Sequence, residues 1–284
     1  MKRPARIDAH QHFWAIARGD YGWLTTAMGA LYRDFGPQDL KPLLERHGIA
    51  GTVLVQAAPT AAETRYLLEL AEGNAQVLGV VGWADLEAAN AAEIIDDLAR
   101  NPKLKGLRPM LQDLPDDDWI AVAPIAAALD RMAAHGLVFD ALVKPRHLPP
   151  LLDRLRRHMG LHAVIDHAAK PAIGGDGFEA WRGDLAALAG LPQVHCKLSG
   201  LLTEAPAGAG SSTLRPYADA VLACFGPERV IWGSDWPVLT LAAGYGDWVS
   251  ITEELLSALN EPQRAAVLGE NAMRLYRLSL DTCP

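Results

Sequence analysis

Cysteine is scarce in this chain. The 284 residues include three cysteines, Cys196, Cys224 and Cys283, and no two of them have C-x-x-C spacing. Three cysteines cannot all pair with one another, and cysteine-ligated zinc sites use closely spaced pairs. The sequence therefore argues against a disulfide-stabilised fold and against a zinc site built on cysteine.

Long apolar runs and an excess of positive charge are missing as well. No apolar segment approaches the roughly 20 residues that cross a bilayer, and the N-terminal MKRPAR has no apolar signal-peptide core. Lysine and arginine total 26 against 34 aspartates and glutamates, a net charge of −8. Such a chain lacks the basic face that binds nucleic acids or anionic membranes. We therefore expect a cytoplasmic protein that acts on a small molecule, with neither nucleic-acid nor membrane partners; assembly into a homo-oligomer is left open.

The composition is that of a globular enzyme, with 50% hydrophobic and 21% charged residues. Short apolar runs rich in β-branched residues alternate with helical patterns along the whole chain. The predicted strands are Ala5–His12, Gly51–Gln56, Val77–Trp83, Leu104–Leu111, Leu137–Leu142, His162–Asp166, Val194–Ser199 and Val230–Asp235. The predicted helices are Gln38–His47, a helix from Thr60 to Gly73, Ala88–Arg100, Asp118–His135, Leu148–His158, Phe178–Ala189, Leu214–Phe225 and Trp248–Leu259.

Eight strand–helix units in 284 residues give about 35 residues per unit. Right-handed crossovers leave a closed barrel or a doubly wound sheet as the common solutions, and the count favours the barrel. The sequence therefore predicts an α/β fold, a (β/α)8 TIM-type barrel formed as one domain by residues 1–284. Glu261–Leu278 is predicted to add an extra C-terminal helix.

Titratable side chains occur at the C-terminal ends of three predicted strands. Strand alternation places His10 and His12 on one face of the first strand, while His167 and Asp235 end the sixth and eighth. Barrel enzymes build their active sites at this end of the strands. His10, His12, His167 and Asp235 are therefore the candidate catalytic residues.

Other side chains near the same end are candidates for substrate binding. The fourth strand ends with Arg108 and Gln112 follows it, and Lys197 lies on the inward face of the seventh. Arg108 is open to a second interpretation as a charge partner at the barrel mouth, and Lys197 could pair with Asp140 of strand five. Two tryptophans beside the proposed site, Trp14 and Trp236, are candidate walls for a substrate ring.

Five segments, taken together and in order, resemble the amidohydrolase superfamily, and within it the branch of sugar lactonases that contains L-fuconolactonases, L-rhamnonolactonases and 2-pyrone-4,6-dicarboxylate lactonases. The similarity extends from strand one to the C-terminal Asn271–Tyr276. The resemblance implies a distorted (β/α)8 barrel. The segments are Ile7–Trp14 (IDAHQHFW), Arg18–Leu24 (RGDYGWL), Ile165–Pro171 (IDHAAKP), Lys197–Gly200 (KLSG) and Gly233–Pro237 (GSDWP).

The superfamily's metal ligands are only partly present. Its metal-dependent members use a His-x-His on strand one, often a lysine on strand four, histidines on strands five and six, and an aspartate on strand eight. Here strand four carries Arg108 and strand five has no histidine, so a two-metal centre is not expected. We expect no required cofactor; the alternative is a single divalent ion such as zinc on His10, His12 and Asp235.

The resemblance implies hydrolysis of L-fuconolactone or a related 1,4- or 1,5-aldonolactone to the aldonic acid. Asp235 would activate the attacking water while the three histidines stabilise the carbonyl oxygen. Candidate cations at the mouth are few, which favours a neutral lactone over a dicarboxylate. A metal-dependent decarboxylase of the same superfamily and a ligand-binding barrel without catalysis are the alternatives.

Overall fold

The computed structural model describes residues 4–280, so that Cys283 and the first three residues lie outside the described residues. All eight predicted strands are confirmed, most of them shorter than predicted. They are β1 Arg6–Gln11, β2 Ile49–Val55, β3 Val77–Gly82, β4 Leu104–Leu107, β5 Val138–Ala141, β6 Ala163–Ile165, β7 Val194–Leu198 and β8 Val230–Trp232.

The strands form one parallel sheet whose spatial order is the chain order, β1 to β8. Backbone hydrogen bonds beyond the regular strands bring the last strand back to the first. The amide of Asp235 donates to the carbonyl of His10 (2.8 Å), and the amide of His12 donates to the carbonyl of Trp236 (2.7 Å). The predicted (β/α)8 barrel is therefore confirmed, and its closing seam carries four candidate site residues, His10, His12, Asp235 and Trp236.

Helices follow the strands on the outside of the barrel. They are α1 Pro37–His47, α2 Ala61–Glu72, α3 Ala91–Leu98, α4 Trp119–Val122, α5 Ala126–His135, α6 Leu148–Arg157, α7 Phe178–Ala189, α8 Ser211–Phe225 and α9 Tyr245–Leu255. The prediction of one helix over Asp118–His135 is wrong. Pro124 lies between α4 and α5 and, having no amide hydrogen, does not continue a helix. None of the helices described is both long and apolar enough to span a membrane.

The C-terminal segment closes the opposite end of the barrel from the candidate site. The predicted extra C-terminal helix is confirmed as an unbroken helical run of α10 (Glu261–Ala265), a π-helical turn (Ala266–Glu270) and α11 (Asn271–Leu275), which ends three residues earlier than predicted. Ala272, Leu275 and Tyr276 pack against Ile7 of β1 and Val138 of β5 in one buried cluster. A Cβ on Gly269 would lie 2.1 Å from the carbonyl oxygen of Ala5, so this glycine lets the segment approach β1 closely.

Candidate active site

Four predicted catalytic residues meet at the C-terminal ends of the strands. Oδ1 of Asp235 lies 3.3 Å from Nε2 of His12, 3.6 Å from Nε2 of His10 and 3.8 Å from Nε2 of His167. Every one of these side chains is almost fully buried. We call His10, His12, His167 and Asp235 the histidine–aspartate cluster.

Local backbone geometry holds this cluster in place. Asp235 (φ 60°) and His167 (φ 53°) adopt the left-handed conformation, which is uncommon for residues other than glycine and costs free energy. A Cβ on Gly200 would lie 2.4 Å from Nδ1 of His167, and one on Gly233 would lie 2.7 Å from Cβ of His10. The two glycines therefore leave the space that these imidazoles occupy.

The contacts of His12 with Val55 and of His10 with Lys197 favour different tautomers of the two neutral rings. Nδ1 of His12 lies 2.8 Å from the carbonyl oxygen of Val55, which can only accept, so Nδ1 donates and Nε2 presents a lone pair in the neutral ring. Nζ of Lys197 donates to Nδ1 of His10 (3.2 Å), which leaves the proton of neutral His10 on Nε2. In these neutral tautomers, Nε2 of His12 therefore accepts a hydrogen bond, whereas Nε2 of His10 donates one.

Burial keeps His10 and His167 neutral at pH 7. It lowers the pKa of His167 to about 4 and that of His10 well below its usual value, with the Lys197 charge adding to the effect on His10. Nδ1 of His167 contacts the hydroxyl of Ser199 at 2.9 Å. When this hydroxyl donates, Nε2 of His167 carries a proton directed toward Asp235.

Asp235 is ionised at neutral pH. Burial by itself raises its pKa, but the three imidazoles around it, His167 foremost, lower it overall, below the usual range of aspartate. The cluster therefore offers one carboxylate acceptor and at least one imidazole N–H donor within 4 Å of each other.

A second buried group of charges lies behind His10, and we call it the lysine cluster. Nζ of Lys197 contacts Oδ2 of Asp140 at 2.6 Å and Oδ1 of Asp166 at 2.9 Å. Tyr276 donates to Oδ2 of Asp140 (2.7 Å), and Nη1 of Arg108 pairs with Oδ2 of Asp166 (3.2 Å). The predicted pairing of Asp140 with Lys197 is confirmed.

The donor set of the histidine–aspartate cluster fits a small divalent cation. The lone pairs of His12 Nε2 and Asp235 Oδ1 face each other at 3.3 Å, and a cation or a proton between them removes their repulsion. Nε2 of His10 is 3.2 Å from that of His12. Ligand atoms around a tetrahedral zinc ion, with bonds of about 2.0–2.1 Å, lie about 3.3 Å apart. As a ligand, His10 would carry its proton on Nδ1, where Asp166 Oδ1 lies 3.5 Å away.

The predicted substrate-binding residues occupy different positions relative to the cluster. Arg108 is 3% exposed; besides Asp166 it contacts the carbonyl of Gln56, and its Nη1 lies 3.4 Å from Nε2 of His10. Lys197 is fully buried on the Nδ1 side of His10, away from Asp235. Gln112 contacts Asp113 and forms no hydrogen bond with the cluster among residues 4–280.

Trp14 and Trp236 are buried in an aromatic group beside the cluster. The Trp14 ring lies 6.5 Å from the His12 ring, and its N–H donates to the carbonyl of Arg33. The Trp236 ring packs edge-on against Phe35 at 5.3 Å. Both tryptophans are therefore buried neighbours of the cluster.

Several participants were not predicted from the sequence. Asp166 binds both cations of the lysine cluster, and it could have been recognised because it precedes His167 at the end of β6. Tyr276 follows α11, about 80 residues after Lys197, and nothing local indicates that it reaches Asp140. The carbonyls of Val55 and Gln56, which hold His12 and Arg108, have no side-chain signature in a sequence.

Comparisons with known proteins identify the family and the fold that the chain shares. The chain matches the amidohydrolase family over residues 7–278. It is 52% identical to an L-fucono-1,5-lactonase of Burkholderia ambifaria and 41% identical to one of Burkholderia multivorans, with 96% of each chain covered in both cases. A crystal structure of an amidohydrolase from Burkholderia multivorans with bound zinc superposes with a TM-score of 0.91, at 41% identity, over 97% of this chain and 100% of that one.

Proposed function

The chain belongs to the amidohydrolase family and is a lactonase, and we propose that it opens L-fucono-1,5-lactone or a related 1,4- or 1,5-aldonolactone to the aldonic acid. We further propose that residues 1–284 act as one barrel domain. The observation that carries the proposal is the ionised Asp235 held among three imidazoles at the barrel mouth. Ester hydrolysis needs a base for water and donors for the carbonyl oxygen, and this cluster supplies both.

Asp235 is the proposed general base. Its carboxylate accepts a proton from water as the water oxygen bonds to the lactone carbonyl carbon. The bond between that carbon and the ring oxygen then breaks, and the proton passes from Asp235 to the ring oxygen, which becomes a hydroxyl. The low pKa makes Asp235 a weak base, so its contribution depends on its position beside the bound water.

His10 and His167 are the proposed donors to the developing oxyanion. Each can present an N–H on Nε2 while remaining neutral at pH 7. His12 presents a lone pair and therefore belongs, with Asp235, to the side of the site that accepts the water protons. This division refines the expectation that all three histidines donate alike.

The remaining residues are proposed to bind or position. Nε of Arg108 and Oε1 of Gln112 are buried without hydrogen-bond partners among the residues described, so both are available to substrate hydroxyls. Lys197 is proposed to act through His10, since its ammonium is already held by Asp140 and Asp166. Trp14 and Trp236 would form the apolar side of the site.

We propose that a divalent cation is not required, and that when one is present His10, His12 and Asp235 hold it. A bound zinc ion would lower the pKa of a coordinated water and polarise a carbonyl oxygen. Asp166 would then accept a hydrogen bond from the Nδ1–H group of His10.

Proton release from a panel of lactones tests the function. The panel contains L-fucono-, L-galactono-, D-arabinono- and L-rhamnonolactone and 2-pyrone-4,6-dicarboxylate, each assayed with untreated and with chelator-treated enzyme. We expect fastest turnover of L-fuconolactone and retention of activity after chelation. Activity lost on chelation and restored by zinc would overturn the metal-free mechanism, and no turnover of any lactone would overturn the function.

A further inference from the structure

A cavity of about 600 Å³ opens at the barrel mouth beside the histidine–aspartate cluster. It lies among the β1–α1, β3–α3 and β4–α4 loops, and two of its lining residues adjoin neighbours of the reaction centre. Pro109, which lines it, directly follows Arg108. Trp23, which also lines it, packs edge-on against Trp14 at 5.4 Å, and Trp14 in turn neighbours His12.

Three half-buried tryptophans line this cavity: Trp23, Trp83 and Trp119. The rings of Trp23 and Trp119 are held through their N–H groups, which donate to the carbonyl of Ala57 (2.7 Å) and to Glu87 (2.9 Å). The backbone amide of Trp83 donates to the hydroxyl of Thr64 (2.7 Å). Two indole faces are thus pre-positioned, and aromatic faces pack well against the C–H surface of a sugar ring.

Carboxylates form the rim of the same cavity. Asp20, Asp85, Glu87 and Asp113 line it, and no lysine, arginine or histidine among residues 4–280 does. Arg18 pairs with Asp20 at 2.6 Å, whereas Asp85, Glu87 and Asp113 have no salt-bridge partner within the described part of the chain. The cavity therefore combines apolar aromatic walls with net negative charge.

We propose that this cavity is a substrate subsite that accepts the neutral ring of an aldonolactone on its tryptophans and disfavours anions through its carboxylate rim. The inference rests on the proposed function. Hydrolysis converts a neutral lactone into an aldonate, which carries a negative charge. The same rim thus discriminates against dicarboxylate lactones on entry and against the product after reaction.

Neutralising the rim tests its role. The variant Asp85→Asn/Glu87→Gln/Asp113→Asn keeps the shape and one acceptor oxygen of each side chain. Product inhibition by L-fuconate is measured during L-fucono-1,5-lactone hydrolysis, and L-fuconate binding is measured separately by calorimetry. We expect the variant to bind L-fuconate about threefold to tenfold more tightly at low ionic strength, with the difference shrinking in about 0.5 M salt. The gain in affinity for the charged product should exceed any change in the KM for the neutral lactone.

A matched control carries three neutralised acids at the opposite end of the barrel, in the last turns of α1, α2 and α3: Glu45→Gln/Glu72→Gln/Asp97→Asn. It should retain wild-type affinity for L-fuconate. An equal increase in L-fuconate affinity in this control would mean that the net charge of the protein, and not the rim, governs binding. An unchanged L-fuconate affinity in the rim variant would also overturn the proposal.

Replacement of one tryptophan tests whether the aromatic side chains of the cavity bind the lactone. Trp119→Leu should raise KM for the neutral lactone about threefold to tenfold with kcat within about twofold, because the ring binds substrate and does not touch the reacting atoms. An unchanged KM would remove the tryptophans from the proposal. If wild-type enzyme hydrolyses no lactone, the proposed function fails; if it does and neither variant differs, only the subsite fails.

Discussion

Two buried groups of charged and titratable residues lie side by side in this barrel and differ in how their polar atoms are paired. In the lysine cluster, the Lys197 ammonium meets two carboxylates, and Tyr276 and Arg108 each bind one of them. In the histidine–aspartate cluster, Asp235 faces three imidazoles and no lysine or arginine within ion-pair distance, among the residues described.

The difference separates a structural role from a chemical one. Buried opposite charges that pair with one another are costly to separate, so the lysine cluster holds its members in place. Lone pairs that face each other, as those of His12 Nε2 and Asp235 Oδ1 do, are relieved only by a proton, a cation or a bound molecule. Adjacent positions of one sheet thus provide a rigid support and a reactive surface, and His10 contacts both.

The largest expected effect separates the clusters by activity. Asp235→Asn keeps the shape and one acceptor oxygen of the side chain but removes the base, so kcat should fall about 10³- to 10⁴-fold. Its free energy of unfolding should change by about 1 kcal/mol or less. Steady-state kinetics on L-fucono-1,5-lactone and urea unfolding measure the two quantities. Asp219→Asn on the exposed face of α8 is the matched control, and near-normal turnover by Asp235→Asn would remove Asp235 from the mechanism.

The second prediction concerns the lysine cluster, where the expected effect is on stability. Lys197→Met leaves Asp140 and Asp166 buried without their ammonium partner, so the free energy of unfolding should fall by about 3–5 kcal/mol. The double variant Lys197→Met/Asp140→Asn removes one of the two stranded charges and should regain part of the loss. Urea unfolding of the three proteins measures both steps. Equal stability of Lys197→Met and wild type would contradict the structural role assigned to the lysine cluster.

The sequence predicts most of the fold because it is periodic. Each parallel strand is a short apolar run, and the polar residues that end β1, β6 and β8 stand out against it. The alternation of His10 and His12 on one strand was sufficient to place two imidazoles in the site. Pro124, which splits one predicted helix into two, was a local signal that the periodicity of the flanking residues obscured.

The lysine cluster was less predictable because its partners are distant in the chain. Tyr276 and Asp140 are joined only when the C-terminal segment covers the barrel, and no local pattern encodes that contact. The left-handed φ angles of His167 and Asp235 are likewise set by surrounding packing. Only the three-dimensional structure indicates that Nε2 is an acceptor in His12 and a donor in His10, because the difference depends on a backbone carbonyl and on Lys197.

The smallest predicted effect concerns the pH dependence of stability. The pKa of His167 is about 4 in the folded protein and about 6.5 when unfolded. The unfolded state therefore binds the proton first, and His167 lowers the free energy of unfolding as pH falls from about 6.5 to about 4. Buried carboxyls with raised pKa values, such as Asp8 at about 6, contribute with the opposite sign, so the comparison must be made between variants.

In His167→Gln, the free energy of unfolding should fall less than in wild type between pH 7 and pH 5, by up to about 1.4 kcal/mol per pH unit within the window. Urea unfolding at several pH values measures this difference, with His47→Gln at the C-terminal end of α1 as the control. The buried carboxyls titrate in all three proteins, so their contributions cancel. A His167→Gln curve parallel to that of wild type would show that the imidazole is not held neutral, and the histidine–aspartate cluster would then be as fully ionised as the lysine cluster beside it.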